Sequence, residues 1–430
     1  MNQADNQRLD YRRAIEALRN GVPNGSAVSM LGCTQARAES RFDELLNEAG
    51  ERGNPPPSGL GMLVSGDFGA GKSHLLTYLE QRALAQGFAC SKVVISKETP
   101  LYDLSKVFRS AMDSSRIPGR SGRLVEEIGL TFSSEDQEYA DFFRRADQDA
   151  SRGHISAVFP ASLLVYTRSH DSELRGKIER FWAGERIKIS ELKDGLRQLG
   201  AQRTYQVRAP KAAELPSQRL RFAAELIKGA GYRGWVVLLD EIELVGSYSP
   251  LQRGRSYAEL ARWLGKLESE TYPGLVTVAT VTEDFHSAVI SEDGRKKDRS
   301  HVVQKLQERE RYQAIAPHAA SGMNLLERER VPLQEPGRED VEVALQKLRD
   351  MYSQAYAWEA PPAMHDMLDG VADRARMRYK VRAAISQWDI LRLYPSARPD
   401  TVSAEFHHEY QEDPDLEQEF KDDGDAPGAE

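Results

Sequence analysis

Residues 65–76 read SGDFGAGKSHLL, and this stretch decides the fold class. It contains the pattern GxxxxGK[ST], formed by Gly66, Gly71, Lys72 and Ser73. Glycines at these positions let backbone N–H groups approach phosphate oxygens, the lysine reaches the β- and γ-phosphates, and the hydroxyl binds Mg²⁺. The sequence therefore predicts a phosphate-binding loop for ATP. Its candidate nucleotide contacts are Gly66, Asp67, Phe68, Gly69, Ala70, Gly71, Lys72, Ser73 and His74.

The segments around this loop alternate between strand and helix patterns. The apolar run 60–66 enters the loop, and the run KSHLLTYLEQRALAQG follows it with a helical pattern. Further strands are expected at 91–96, 234–241 and 274–281, with a short edge strand at 330–333. This alternation predicts an α/β fold, a three-layer sandwich in which helices cover both faces of a parallel sheet.

A second motif ends one of the predicted strands. Five apolar residues in WVVLLDE precede Asp240 and Glu241. An aspartate at the carboxyl end of a buried strand can hold Mg²⁺, and the adjacent glutamate can orient and polarise the attacking water. This pair predicts ATP hydrolysis, with Ser73 and Asp240 as metal ligands and Lys72 and Glu241 as catalytic residues. On the next strand, either Thr280 or Thr282 can contact the γ-phosphate or the water, or both simply favour the strand.

Composition limits the class of protein further. The chain has 430 residues and a net charge of −8, with only two cysteines, Cys33 and Cys90, which stand far apart. This usage argues against a disulfide scaffold or a zinc site and suits a reducing cytoplasm. We expect no secretion signal and no membrane-spanning segment, and therefore a cytoplasmic protein. Residues 405–430 carry eleven acidic residues and one lysine, which predicts a solvated and partly disordered tail.

Together these features resemble an AAA+ ATPase of the initiator-like branch. More narrowly, the chain resembles the ATP-binding proteins of BREX-type phage-defence systems. The matching stretches are RRAIEALRNGVPN, SGDFGAGKSHLL, KVVISKETPLYDLSKVF and RYKVRAAISQWDIL. The resemblance implies an ATPase that changes shape between its ATP- and ADP-bound states within a bacterial antiphage complex.

The resemblance also implies roles for individual residues. The segment Gly21–Asn24, including Val22 and Pro23, would line the base pocket, although it also reads as a plain helix stop. Arg378 best matches the arginine that reaches the γ-phosphate from a C-terminal helical lid, with Arg382 one turn on, and the alternative is that both form a solvated basic face. An arginine that completes a neighbouring subunit's site would be one of Arg309, Arg311, Arg328 and Arg330.

Four regions are expected along the chain: an N-terminal helical segment (1–52), a P-loop ATPase core (53–336), a helical lid (337–395) and the acidic tail (396–430). Within the core, residues about 120–230 are charged and helical, which indicates an insertion.

The sequence signals for partners other than ATP and ADP are less specific. Basic clusters at 295–312 and 374–382 can bind DNA through its phosphates or can be solvated faces. Too few residues follow the lid for an appended winged helix, which favours a subunit that works with other defence proteins. Further copies of the chain and DNA are candidate partners. The alternatives to an ATPase subunit are an ATP-gated scaffold that hardly hydrolyses ATP and a DNA-binding loader of the initiator type.

Overall fold

A computed structural model describes residues 3–21, 24–51, 60–131, 137–267, 270, 272–362 and 377–396. The strands are β1 (Leu60–Ser65), β2 (Ala89–Val94), β3 (Trp235–Asp240), β4 (Leu275–Val281) and β5 (Arg330–Pro332). The helices in the first half are α1 (Gln3–Arg19), α2 (Gly25–Leu31), α3 (Ala36–Gly50), α4 (Lys72–Ala85), α5 (Leu104–Asp113), α6 (Leu124–Thr131), α7 (Gln137–Ser151), α8 (Val158–Arg168), α9 (Ser172–Trp182) and α10 (Ile189–Gln198).

The second half adds α11 (Leu215–Gly229), α12 (Pro250–Trp263), α13 (Asp298–Gln307), α14 (Ala316–Arg328), α15 (Arg338–Tyr356) and α16 (Met377–Leu393). Two short 3-10 helices, Ile242–Ser247 and Glu310–Ile315, and a π-helical turn, His286–Ile290, lie between them. Within the described part of the chain, no helix is both long and apolar enough to cross a bilayer.

The strands form one parallel sheet in the order β2-β3-β4-β1-β5 across the described residues. β4 therefore lies between β1, which enters the phosphate-binding loop, and β3, which carries the two acids. The register pairs Val64 with Thr280 and Leu239 with Ala279, so the carboxyl ends of these strands meet at one edge. In open parallel sheets this edge is where ligands bind.

Alternate residues along β3 face opposite helical layers. Val236 and Leu238 pack in one core with α3 and α4, whereas Trp235, Val237 and Leu239 pack in a second core with α5, α11 and α12. A strand buried on both faces reads as a continuous apolar run, which explains the sequence WVVLL. The predicted α/β class, with a parallel sheet covered on both faces, is confirmed.

The segment between β2 and β3 is helical, and the helices α5 to α11 share the second core with the sheet. Phe159 and Phe222 stack at 4.8 Å between ring centroids, and Trp182 lies 5.9 Å from Phe222. Phe181 and Trp182 are both buried, so these aromatic residues belong to the core and form no exposed binding platform.

A third core joins the two ends of the chain. Ile15 and Leu18 of α1 pack with residues of α15 and α16. Arg19 forms a bidentate ion pair with Asp389, with N–O distances of 3.0 and 2.9 Å. The Tyr352 hydroxyl donates a hydrogen bond to the same carboxylate. The first 52 residues are thus divided, because α1 packs with the C-terminal helices and α3 packs on the sheet.

Candidate nucleotide-binding site

A cavity of about 250 Å³ lies at the carboxyl edge of the sheet. The phosphate-binding loop forms its floor, and the acids after β3 form one side. The segment after α2 and the helices α15 and α16 form the other sides. The lining residues are Leu18, Gly21, Leu31–Gln35, Phe68–Leu75, Asp240, Glu241, Glu243, Leu333, Pro336, Asp340, Ala344, Met377, Arg378 and Val381.

The loop after β1 has the backbone geometry that a phosphate cradle needs. Gly69 and Gly71 have φ values of 81° and 104°, in the left-handed region that glycine adopts without a steric cost. Helix α4 begins at Lys72, so its N-terminus, which carries a partial positive charge, faces the cavity. Ser73 and His74 line the same cavity.

Lys72 is only 8% exposed, and its ammonium is held by the loop itself. Its Nζ donates to the carbonyl oxygens of Gly66, at 2.8 Å, and Asp67, at 3.3 Å. Gly66 and Asp67 therefore act on the site through their backbones. Phe68, Gly69, Ala70 and Gly71 line the cavity directly.

Asp240 and Glu241 lie at the end of β3 in different settings. Asp240 is 3% exposed, and its Oδ1 accepts hydrogen bonds from the Thr280 hydroxyl, at 2.6 Å, and from the Glu241 N–H, at 3.1 Å. Glu241 is exposed and has φ 62°, a conformation that costs a residue with a Cβ on the order of 1 kcal/mol. This turn carries both carboxylates to the cavity wall.

The two threonines that the sequence did not separate have different positions. Thr280 is buried on β4 beside Asp240 and hydrogen-bonds to it. Thr282, also buried, follows the last residue of β4. Neither threonine lines the cavity, but Thr280 is bonded to Asp240, which does.

Sequence reasoning missed Glu243, a third acid in the cavity wall. It is 4% exposed, in the 3-10 helix after β3, and its Oε1 lies 3.6 Å from Lys72 Nζ. Burial raises the pKa of the Glu243 carboxyl, and the nearby Lys72 ammonium opposes that rise. The sequence DEIE contains the signal, but only the 3-10 turn brings its last residue back into the cavity.

The apolar end of the cavity is also formed by residues that sequence reasoning missed. Leu31, Cys33 and Leu333 line it, together with Ala344 of α15. Of the segment predicted to line the base pocket, Gly21 lines the cavity, Asn24 caps α2 by accepting from the Ala27 N–H, and Val22 and Pro23 lie outside the described residues.

His74 ties the loop to this apolar end. Its Nε2 lies 2.7 Å from the Gly32 carbonyl oxygen, which can only accept, so Nε2 carries the proton. Burial lowers the pKa of the imidazole, which is consistent with a neutral donor. The start of α4 and the end of α2 are thereby held together beside the cavity.

Of the two predicted lid arginines, only Arg378 lines the cavity. Its Nη2 donates to the Gly21 carbonyl oxygen at 2.5 Å, and its guanidinium lies 5.5 Å from the centre of the Phe68 ring. Arg378 thus joins the end of α1, the phosphate-binding loop and α16. Arg382 is exposed on the next turn of α16.

The remaining predicted arginines lie away from this chain's own cavity. Arg309, Arg311 and Arg328 are exposed, and Arg330 Nη1 donates to the Glu283 carbonyl oxygen. In the basic stretch 295–312, Asp298 is fully buried and pairs with Arg253 through two 2.7 Å contacts. Arg374, Arg376 and residues 397–430 of the acidic tail lie outside the described residues.

The side chains in the cavity fit a magnesium nucleotide. Mg²⁺ takes oxygen ligands and is usually held by one or two protein groups together with substrate phosphates. The Ser73 hydroxyl and the Asp240 carboxylate supply such oxygens beside the phosphate-binding loop. No group of three or more His, Cys, Asp or Glu side chains in the described ranges could hold a metal ion by itself.

Comparison with known proteins shows which family the chain belongs to. No curated protein matches the chain. A model of the protein family described as BREX system ATP-binding protein BrxC/D matches residues 7–149 and 168–399. This match covers nearly the whole chain, including the phosphate-binding loop, both acids after β3 and Arg378. The chain therefore belongs to the BREX system ATP-binding proteins BrxC/D.

Proposed function

We propose that the chain binds ATP with Mg²⁺ and hydrolyses it to ADP and phosphate as an AAA+-like subunit of a BREX defence complex. The observation that carries this proposal is that Lys72, Asp240 and Glu241 line one cavity at the carboxyl edge of the sheet. A site with only the loop and one carboxylate could bind nucleotide. The second carboxylate adds a group that can activate water.

Each residue has a role that follows from its position. Lys72 and the N-terminus of α4 stabilise the negative charge of the phosphates, and Ser73 and Asp240 hold the metal. Mg²⁺, when bound, supplies further positive charge to the phosphate oxygens. Glu241 accepts a proton from the attacking water, because its exposed side chain lines the cavity next to Asp240.

The AAA+-like assignment rests on where the C-terminal helices lie. Arg378 brings a positive charge from α16 to the cavity, and α1 is packed with α15 and α16 in one core. A nucleotide that contacts both the loop and Arg378 would change how this helical unit sits on the sheet. We propose that this movement acts on other BREX subunits. The arginine that completes a neighbour's site, assembly with further copies, DNA binding and a cytoplasmic location stay predictions from the sequence.

The test compares Lys72→Ala and Glu241→Gln with the wild-type protein, in phosphate release and in retained nucleotide. Lys72→Ala is expected to lose ATP binding, since the buried ammonium that faces the phosphates is removed. Glu241→Gln is expected to bind ATP but to lower turnover by about 10²- to 10⁴-fold, the usual contribution of a general base. Glu283→Gln, an exposed carboxylate at the same edge but outside the cavity, is the matched control.

Equal turnover by the wild-type protein and Glu241→Gln would refute the hydrolytic mechanism. ATP binding without turnover, with and without DNA, would favour the ATP-gated scaffold. ATP-dependent DNA binding that weakens with salt would favour the loader.

A further inference from the structure

Glu243 is a buried acid in the nucleotide cavity that the hydrolytic scheme does not use. Its side chain is 5% exposed and that of Lys72 is 8% exposed. Their charged atoms, Oε1 and Nζ, are 3.6 Å apart, so the carboxylate is the counter-ion of the lysine that faces the phosphates. The other contacts of this ammonium are the two carbonyl oxygens of the loop.

The second carboxylate oxygen of Glu243, Oε2, is buried and accepts no hydrogen bond from any described residue. Burying a polar oxygen without a partner is costly, so the arrangement is not explained by local stability. Asp240 and Glu241 add negative charge nearby and help to raise the pKa of the Glu243 carboxyl. Three carboxylates therefore line one wall of a site that must accept an anion.

We propose that Glu243 is a resident competitor of the nucleotide: it holds Lys72 until β- and γ-phosphates displace it, and so weakens nucleotide binding and favours product release. This inference rests on the ATP binding in the proposed function and is independent of hydrolysis. Glu243 acts through Lys72 and is thus a positioning residue.

The geometry explains why this competition is effective. The Lys72 ammonium must break at least one of its present contacts to bind the β- and γ-phosphates. Glu243 cannot follow into solvent, because the 3-10 helix that carries it is buried at Ile242 and Val245. Its negative charge therefore stays close to the bound phosphates, where the low local dielectric strengthens the repulsion.

The test separates charge from shape with two variants. Glu243→Gln keeps the shape and removes the charge, and Glu243→Asp keeps the charge on a shorter side chain. Dissociation constants for ADP, AMP-PNP and AMP would be measured by titration calorimetry in the presence of Mg²⁺. We expect Glu243→Gln to bind ADP and AMP-PNP about tenfold more tightly than the wild-type protein. Glu243→Asp should stay near the wild-type values.

AMP is the control ligand, because it lacks the phosphates that compete for Lys72, and its affinity should be unchanged in Glu243→Gln. Glu80→Gln is the control variant. Glu80 is a buried acid on α4, the helix that Lys72 begins, and it lies 3.7 Å from Arg116, outside the cavity. This variant should leave all three constants unchanged.

Weaker or unchanged ADP binding by Glu243→Gln would overturn the inference, as would an equal gain for AMP. Lost turnover with unchanged dissociation constants would also overturn it, because Glu243 would then act in the chemical step. A wild-type protein that binds ADP but does not hydrolyse ATP would refute the proposed ATPase activity and leave this test intact.

Discussion

The Thr280 hydroxyl donates a 2.6 Å hydrogen bond to Oδ1 of Asp240, from β4, the strand that separates the phosphate-binding loop from its acid, to the neighbouring strand β3. Both side chains point to the face of the sheet that α3 and α4 cover, since Val276 and Val278 of β4 and Val236 and Leu238 of β3 face the same core. The bond fixes one carboxylate oxygen. The orientation of the predicted metal ligand is thus set by the strand between the two motifs.

Thr280→Val should therefore lower the affinity for Mg²⁺ without abolishing Mg²⁺ binding. The substitution keeps the side-chain shape and removes the donor, and loss of a partner that orients a metal ligand typically costs about 10- to 100-fold in metal affinity or activity. The measurement is the Mg²⁺ concentration that gives half-maximal ATP binding. Thr277→Val is the control, because Thr277 is buried on the same strand and its hydroxyl has no hydrogen-bond partner among the described residues. Equal Mg²⁺ requirements in both variants would contradict this role.

Arg378→Ala should weaken ATP binding on the order of tenfold, because a charged group that can bond a phosphate oxygen is lost. Arg382→Ala is its matched control, since Arg382 lies one turn further along α16, is exposed and does not line the cavity. Dissociation constants for ATP, measured in a Glu241→Gln background to prevent turnover, would separate the two. A comparable loss in both variants would show that the general basic charge of α16 is responsible.

The phosphate side of the site could be predicted from the sequence because it is local. The loop from Gly66 to His74 and the acids at 240 and 241 each lie within one strand end and its following turn. The spacing of glycines and the position of acids after an apolar run are visible in such short segments. Arg378 could be predicted only through the family resemblance, because nothing in the sequence around it distinguishes it from Arg382.

The apolar side of the cavity could not be predicted in this way. It combines the end of α2 with Leu333 and with α15, segments about 300 residues apart, and no short pattern records that contact. Thr280 and Thr282 could not be separated because their difference depends on the strand register. Glu243 was missed because it lies beside Lys72 only when residues 242–247 form a 3-10 helix, and the residue types in this segment do not predict that helix.

His74 predicts a dependence of stability on pH. Unfolded histidine titrates near about 6.5, and burial lowers the pKa of folded His74, so the unfolded chain binds more protons as the pH falls below that range. The contribution of the neutral imidazole to the free energy of unfolding is therefore complete above the pKa of histidine in the unfolded chain, and it is lost as the pH falls below that value. His74→Gln keeps a donor for the Gly32 carbonyl and does not titrate.

The melting temperature of the wild-type protein relative to His74→Gln should therefore decrease between pH 8 and pH 5. His301→Gln, at an exposed position, is the control for the substitution itself. A constant difference between the wild-type protein and His74→Gln over this range would rule out the buried neutral imidazole.

Replacement by alanine should have opposite effects on stability at two helical glycines. A Cβ on Gly322 of α14 would lie 1.9 Å from the Tyr257 carbonyl oxygen of α12, a backbone atom that cannot easily move. Gly322→Ala should therefore destabilise the protein by about 3 kcal/mol, at the upper end of typical overpacking costs. A Cβ on Gly176 of α9 would meet only the end of the Arg180 side chain, at 3.7 Å.

Gly176→Ala should stabilise the protein by about 0.5–1 kcal/mol, because alanine loses less backbone entropy in a helix than glycine does. Urea unfolding midpoints of the two variants should move in opposite directions from that of the wild-type protein. If Gly322→Ala were neutral, α12 and α14 would not pack as closely as the structure places them.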